Sequence, residues 1–155
     1  MTGLLLLALL IGIVAGLRAM TAPAAVAWAL HLGWIAPAVG WTAFMGWRFT
    51  PWIFLLLALA ELVSDQLPAT PSRKIPIAFG TRLIVGALCG ATIGVPSGAL
   101  ATGVALGIVG AALGTYGGAA ARGALAKSFG RDRPAALIED VVAIGGALAA
   151  LCVLG

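Results

Sequence analysis

The sequence predicts an all-α fold, a polytopic transmembrane helical bundle of five or six membrane segments, and three observations carry that expectation. Of 155 residues, 62% are hydrophobic and 9% charged, with mean hydropathy +1.13. A soluble domain carries about 25% charged residues, so a water-soluble fold of this length has too few charges to cover its surface. The nine basic and five acidic residues also fall in clumps. Between them lie apolar stretches near the ~17–25 residues that cross a bilayer as helix. The chain, residues 1–155, therefore reads as a single integral membrane domain.

The apolar segments, in order, are Gly3–Leu17, Ala22–Val39, Trp52–Val63, Ile77–Val95, Ala99–Ala121 and Ala135–Leu154. The first resembles a signal-peptide core, yet Met1-Thr2-Gly3 carries no side-chain charge and the first basic residue, Arg18, follows the apolar run. A secretory leader has the reverse order, so the segment is expected to be retained. Read as one helix, Gly3–Leu32 would be about 45 Å long against a hydrocarbon core of about 30 Å. It must tilt, break or turn back. Gly16 and Pro23 supply a break, with Thr21 as N-cap of the second piece and Pro23 in its first turn. The third segment is short, and Trp41–Trp52 before it either extends it or lies in the interface. Trp28, Trp34, Trp41, Trp47 and Trp52, with Arg48, are expected to anchor this side at the membrane surface, where tryptophan concentrates. His31 is expected in the same interfacial zone.

Basic residues set the orientation. Arg73 and Lys74 lie in the connection Asp65–Pro76, and Arg122, Lys127, Arg131 and Arg133 in the connection Arg122–Pro134. Two crossings separate these loops, so they share a side, and their Lys/Arg excess assigns it to the cytoplasm. The chain is thus expected to be a multi-pass protein of the inner (cytoplasmic) membrane. Three arrangements of the start remain open, one of them a re-entrant hairpin whose irregular backbone must be covered by protein. With five crossings the N-terminus is cytoplasmic and Arg18 sits in the outer half of the bilayer; with six it is outside and Arg18 returns to the cytoplasmic boundary. An arginine at mid-membrane costs about 2.5–3.5 kcal/mol on insertion scales, which favours six.

Glycine is concentrated late. Gly86, Gly90, Gly94 and Gly98 recur every four residues, as do Gly103 and Gly107, then Gly110, Gly114 and Gly118. That spacing lines one helix face with residues small enough for backbones to touch, the usual device for packing helices in lipid. The same seam is open to contact between copies. Gly12–Leu30 also aligns with Gly107–Leu125 at seven of nineteen positions, a faint hint of internal duplication. Cys89 and Cys152 both lie in apolar runs, where free cysteine acts as a small hydrophobe. With a single histidine they form no metal-binding pattern, and no cofactor or catalytic motif is present.

The chemistry-bearing residues are those charged where the chain is otherwise apolar. Glu61 and Asp65, four apart, share a face at the end of the third segment. Arg82 lies about one turn into the fourth, and Glu139 and Asp140 about one turn into the last. In the six-segment arrangement Arg18 joins them. A polar layer is expected in which Arg18 and Arg82 face Glu61, Asp65, Glu139 and Asp140, with Arg73 and Arg122 nearby. Buried carboxylates require such partners. The layer has two readings: ion pairs that lock helices together, or a substrate or ion site opening to the cytoplasm. The proline-rich stretch Gln66–Pro76 either caps that layer or is a plain linker.

These residues resemble a family. Gly16-Leu17-Arg18-Ala19-Met20-Thr21-Ala22-Pro23, the Glu61…Asp65…Pro68…Pro71…Arg73 stretch, Arg82 with Gly86-Ala87, and Ala136…Glu139-Asp140 are similar to a domain-of-unknown-function family of small bacterial integral membrane proteins. The likeness covers nearly the whole chain and departs at Gln66, where the family pattern has lysine, and at Ala22, where short members often carry proline. It implies a fold and a site, made of Arg18, Glu61, Asp65, Arg82, Glu139 and Asp140, but no activity.

The expected function is a small permease or channel-like transporter of a solute or ion. Its site would be Arg18, Glu61, Asp65, Arg73, Arg82, Glu139 and Asp140, and it would work as a homo-oligomer because thin helices enclose little volume. The alternatives are a membrane enzyme acting on a lipid or lipid-linked substrate, with headgroup phosphate on Arg18, Arg73 and Arg82, and a membrane scaffold. Expected partners are membrane lipids and further copies of the chain. Nucleic acid is not expected, because no basic stripe with interleaved aromatics occurs.

Overall fold

In the computed structural model, which describes residues 2–65 and 75–154, every regular element is helical. The α-helices are α1 (Thr2–Leu17), α2 (Thr21–Leu32), α3 (Thr50–Ser64), α4 (Pro76–Gly94), α5 (Leu100–Phe129) and α6 (Asp132–Leu154). A 3-10 segment, Gly40–Gly46, precedes α3, and a 3-10 turn, Val95–Ser97, follows α4. Pro51 and Pro76 sit in the first turns of α3 and α4, where a missing N–H removes no helical hydrogen bond. Gly130, at φ +63°, takes the left-handed conformation that closes α5.

Three helices are long and apolar enough to cross a membrane: Pro76–Ser97, Leu100–Phe129 and Asp132–Val153. A fourth is reached only by counting Gly40–Gly46 and α3, bent by 71°, as one span. This replaces the five or six segments expected from hydropathy. The shortfall lies at the start: α1 has 16 residues and α2 has 12, about 24 and 18 Å of helix against a hydrocarbon core of about 30 Å. The chain does break at Arg18–Met20, but α2 stops at Leu32 because Gly33 turns left-handed (φ +74°) and its N–H bonds back to Leu30. Residues 33–39 of the expected Ala22–Val39 segment are therefore not helical. At the other end, the expected Arg122–Pro134 connection shrinks to Gly130 and Arg131, since α5 continues to Phe129 and α6 begins at Asp132.

The core is a three-helix pack of α1, α4 and α5 built on glycine. Gly86 and Gly90 of α4 lie directly on the backbone of Gly107 and Gly103 of α5, so these helices run antiparallel. Gly12 and Gly16 of α1 lie on Gly107 and on Ala111, Gly114 and Thr115, so α1 runs parallel to α5. A Cβ at any of these glycines of α1 or α4 would meet neighbouring atoms at under 3.0 Å. The four-residue spacing thus serves two faces of α5: Gly103 and Gly107 toward α4, Gly110 and Gly114 toward α1. Gly98, grouped with the seam by its spacing, instead forms the turn after α4 at φ +72°.

α6 packs on α5 and α1 through a face of small residues (Ala136, Ala143, Ala147, Ala150), while Leu137, Val141, Val142 and Leu148 point outward. α2 packs against α3 and α6. Trp28 meets Trp52 and His31 edge-on, and Trp34, Trp41, Trp47 and Trp52 are exposed. The aligned Gly12–Leu30 and Gly107–Leu125 stretches are not equivalent structures, because the first is broken after Leu17 and the second lies in one unbroken helix. Cys89 is buried as a core filler, whereas Cys152 is exposed.

Candidate functional site

Parallel packing of α1 on α5 has a direct consequence: the C-terminal end of α1 comes to the same end of the bundle as the N-terminal part of α4 and the start of α6. There α1 stops, and Arg18, Ala19 and Met20 interrupt the helix before α2 begins. Such an interruption leaves carbonyls without donors on one side and N–H groups without acceptors on the other. Each set is satisfied by side chains from distant helices.

On the carbonyl side, Arg82 Nη1 donates to Gly16 O at 2.8 Å and Leu17 O at 2.9 Å. The hydroxyl of Thr115 donates to Gly16 O at 3.3 Å as well as to Ala111 O in its own helix. On the N–H side, the Glu61 carboxylate accepts from Ala19 N at 2.9 Å and Met20 N at 2.8 Å. Glu61 thus serves as the acceptor that the expected N-cap, Thr21, does not supply. Thr21 is the first helical residue, the cap position falls on Met20, and no side chain of the cap itself bonds there. Pro23 lies in the first turn as expected. Arg82 and Glu61 are themselves 3.8 Å apart, so the two caps are linked.

Arg18 sits inside the interruption with no solvent exposure. Its Nη1 pairs with Asp65 at the end of α3 and its Nη2 with Asp140 on α6. About two turns beyond Thr115 on α5, Arg122 Nε donates to Asp132 at 2.9 Å, and Arg122 Nη1 lies 3.6 Å from Glu139. All five acidic residues of the chain therefore lie in ion pairs, in three groups: Asp65 and Asp140 on Arg18, Glu61 on Arg82, and Asp132 and Glu139 on Arg122. Glu139 and Asp140 are 6% and 8% exposed, which is low enough that removing a partner would strand a buried charge.

The structure thus brings Arg18, Glu61, Asp65, Arg82, Glu139 and Asp140 together; Arg73 and the rest of the proline-rich stretch up to residue 74 lie outside the described residues. Three participants are absent from the sequence-based site. Asp132 falls in what reads as a loop, Thr115 sits among alanines and glycines with no distinguishing signal, and Arg122 appears only as a neighbour. Among the described residues, no group of three or more His, Cys, Asp or Glu side chains has the arrangement of a metal site. A small apolar cavity of about 100 Å³, lined by Leu4, Ile35, Ala36, Ile93, Pro96 and Ser97, lies at the opposite end of the bundle, away from these charges. Comparison with family models, with curated proteins and with solved structures gives no match.

Proposed function

We propose that this chain is a small multi-pass protein of the cytoplasmic membrane that binds a small ion or solute at the charged interruption and carries it across: a permease or channel-like transporter. The observation that carries the reading is the interruption between α1 and α2, where ionisable side chains from α3, α4 and α6 converge on Arg18 and on the backbone groups that the break exposes. Discontinuous helices with exposed ends are a recurrent way to build ion and substrate sites in transporters. Ionisable groups within spans are also costly enough to point to function.

The arrangement fits a membrane in one orientation. Among the described residues, Lys127, Arg131 and Arg133 belong to the end carrying the ion pairs, whereas Arg48 lies at the other end. The Lys/Arg excess makes the charged end cytoplasmic. In this reading α1 and α2 are two thin segments that meet at Arg18, and the N-terminus faces outward. Because backbone contact fills the space between α1, α4 and α5, the path runs along α2, α3 and α6 or between copies of a homo-oligomer.

The test is flux into proteoliposomes containing wild-type protein or Asp65→Asn, using proton, sodium, potassium and chloride gradients. The reading predicts flux of one ion above that of protein-free vesicles, reduced at least about tenfold in the variant while its helical signal persists. Equal flux with and without protein for all four ions, together with an altered lipid species in a deletion strain, would replace transport by action on a lipid.

A further inference from the structure

Among the described residues, four buried side-chain atoms make no hydrogen bond; Arg18 Nη2 and Asp140 Oδ1 form an ion pair with each other, which leaves Arg18 Nε and the Thr21 hydroxyl. Among the described residues, five threonines are buried: Thr21, Thr42, Thr50, Thr92 and Thr115. Four of them donate to a backbone carbonyl, Thr42 to Val39, Thr50 to Phe44, Thr92 to Leu88 and Thr115 to Ala111. The hydroxyl of Thr21 is covered and has no hydrogen-bond partner among the described residues. The cause is local. A helical threonine bonds the carbonyl four residues back, as Thr92 and Thr115 do, but for Thr21 that carbonyl is Leu17 O, across the break and held by Arg82. Arg18 Nε, three residues before Thr21 on the same interruption, is likewise buried without a partner.

Thr21 is the first residue of α2, whose opening turn carries the positive end of the helix dipole. Glu61 takes the N–H groups of Ala19 and Met20, one step earlier. The start of this 12-residue helix therefore sets a buried, unpartnered hydroxyl at the positive end of a helix dipole, with the unpartnered Arg18 Nε three residues before it in the chain. A buried hydroxyl left without a partner is unfavourable enough that native proteins rarely tolerate it.

We infer that the N-terminus of α2, with Arg18 Nε and the Thr21 hydroxyl, is a binding site for one uncharged acceptor oxygen: a water molecule, or the hydroxyl or carbonyl oxygen of a small solute. A neutral atom is specified because the Arg18 charge is already met by Asp65 and Asp140, which would repel an anion. The inference rests on the site proposed above for transport and gives it a ligand chemistry. Its test, however, reads stability and density rather than flux, so it can fail while transport stands, and the reverse.

Thr21→Val keeps the shape of the side chain and removes the hydroxyl; Thr21→Ser keeps the hydroxyl and removes the methyl. If the hydroxyl holds a ligand oxygen, Thr21→Val lowers the melting temperature in detergent by roughly 2–4 °C, the shift given by one lost buried hydrogen bond in a chain of this size. Thr21→Ser then stays closer to wild type. If the hydroxyl has no partner, Thr21→Val is neutral or raises the melting temperature, and the inference is overturned. An experimental structure of the wild type separates the two sources of oxygen. Isolated spherical density within hydrogen-bonding reach of Arg18 Nε and Thr21 Oγ1 identifies water, extended density there identifies a co-purified solute, and no density overturns the site.

Discussion

Arg18 occupies a position that few cations occupy: fully buried, one nitrogen on a carboxylate from α3 and another on a carboxylate from α6. Breaking such a pair leaves an uncompensated charge, at a cost of about 3–5 kcal/mol. Arg18→Leu is therefore expected to destabilise the protein by that order, read as a lowered denaturation midpoint in detergent. Glu61 acts differently, because its partners are backbone N–H groups at the break. Glu61→Gln retains one acceptor oxygen and Glu61→Ala none, so the alanine variant is expected to be the less stable by about 1–2 kcal/mol. Convergence of Arg18, Glu61, Asp65, Arg82 and Asp140 was legible because a charge in an apolar run has few places to go. The role of Thr115 was not, since one hydroxyl among small residues carries no pattern. Nor was the capping role of Glu61, because its N–H partners are 41 and 42 residues away in sequence.

At the scale of elements, glycine sorts into two kinds that composition alone does not separate. Gly86, Gly90, Gly103 and Gly107 touch backbone of the facing helix, whereas Gly117, Gly145 and Gly146 face open space. Gly107→Val is expected to force α5 away from α4 and lower stability by several kcal/mol, in the range of severe overpacking. Gly117→Ala is expected to be neutral or stabilising by about 0.5–1 kcal/mol, the helix propensity gained over glycine. Thermal unfolding of the two variants side by side tests both. The existence of each helix was legible in hydropathy. The ends were less so, because they depend on conformations that hydropathy does not encode: the left-handed Gly33 cuts α2 short, and the left-handed Gly130 confines the last turn to two residues.

Across the whole molecule, the direction of α1 decides the architecture. It runs with α5 and against α4, so Thr2 and the turn at Gly130 lie at opposite ends of the bundle. In the topology proposed above, and in a background lacking Cys89 and Cys152, Thr2→Cys and Gly130→Cys are expected to react with an impermeant thiol reagent from opposite sides of the membrane. Reaction of both from the same side would require α1 to be inverted. The number of long helices was overestimated from sequence because apolar composition marks what lipid tolerates, while helix length also depends on where the backbone turns. Two short helices joined at a charged break carry as much apolar sequence as two full spans.

That distant helices deliver opposite charges to one interruption is the claim on which site and function both rest, and a double-mutant cycle between Arg18 and Asp140 tests it most directly. Unfolding midpoints would be compared for wild type, Arg18→Gln, Asp140→Asn and the double variant. Residues in one ion-pair network couple by about 0.5–3 kcal/mol, so the double variant is expected to be more stable than the sum of the single losses by at least 1 kcal/mol in that range. Losses that add to within about 0.5 kcal/mol, as they do for residues that do not touch, would contradict the account.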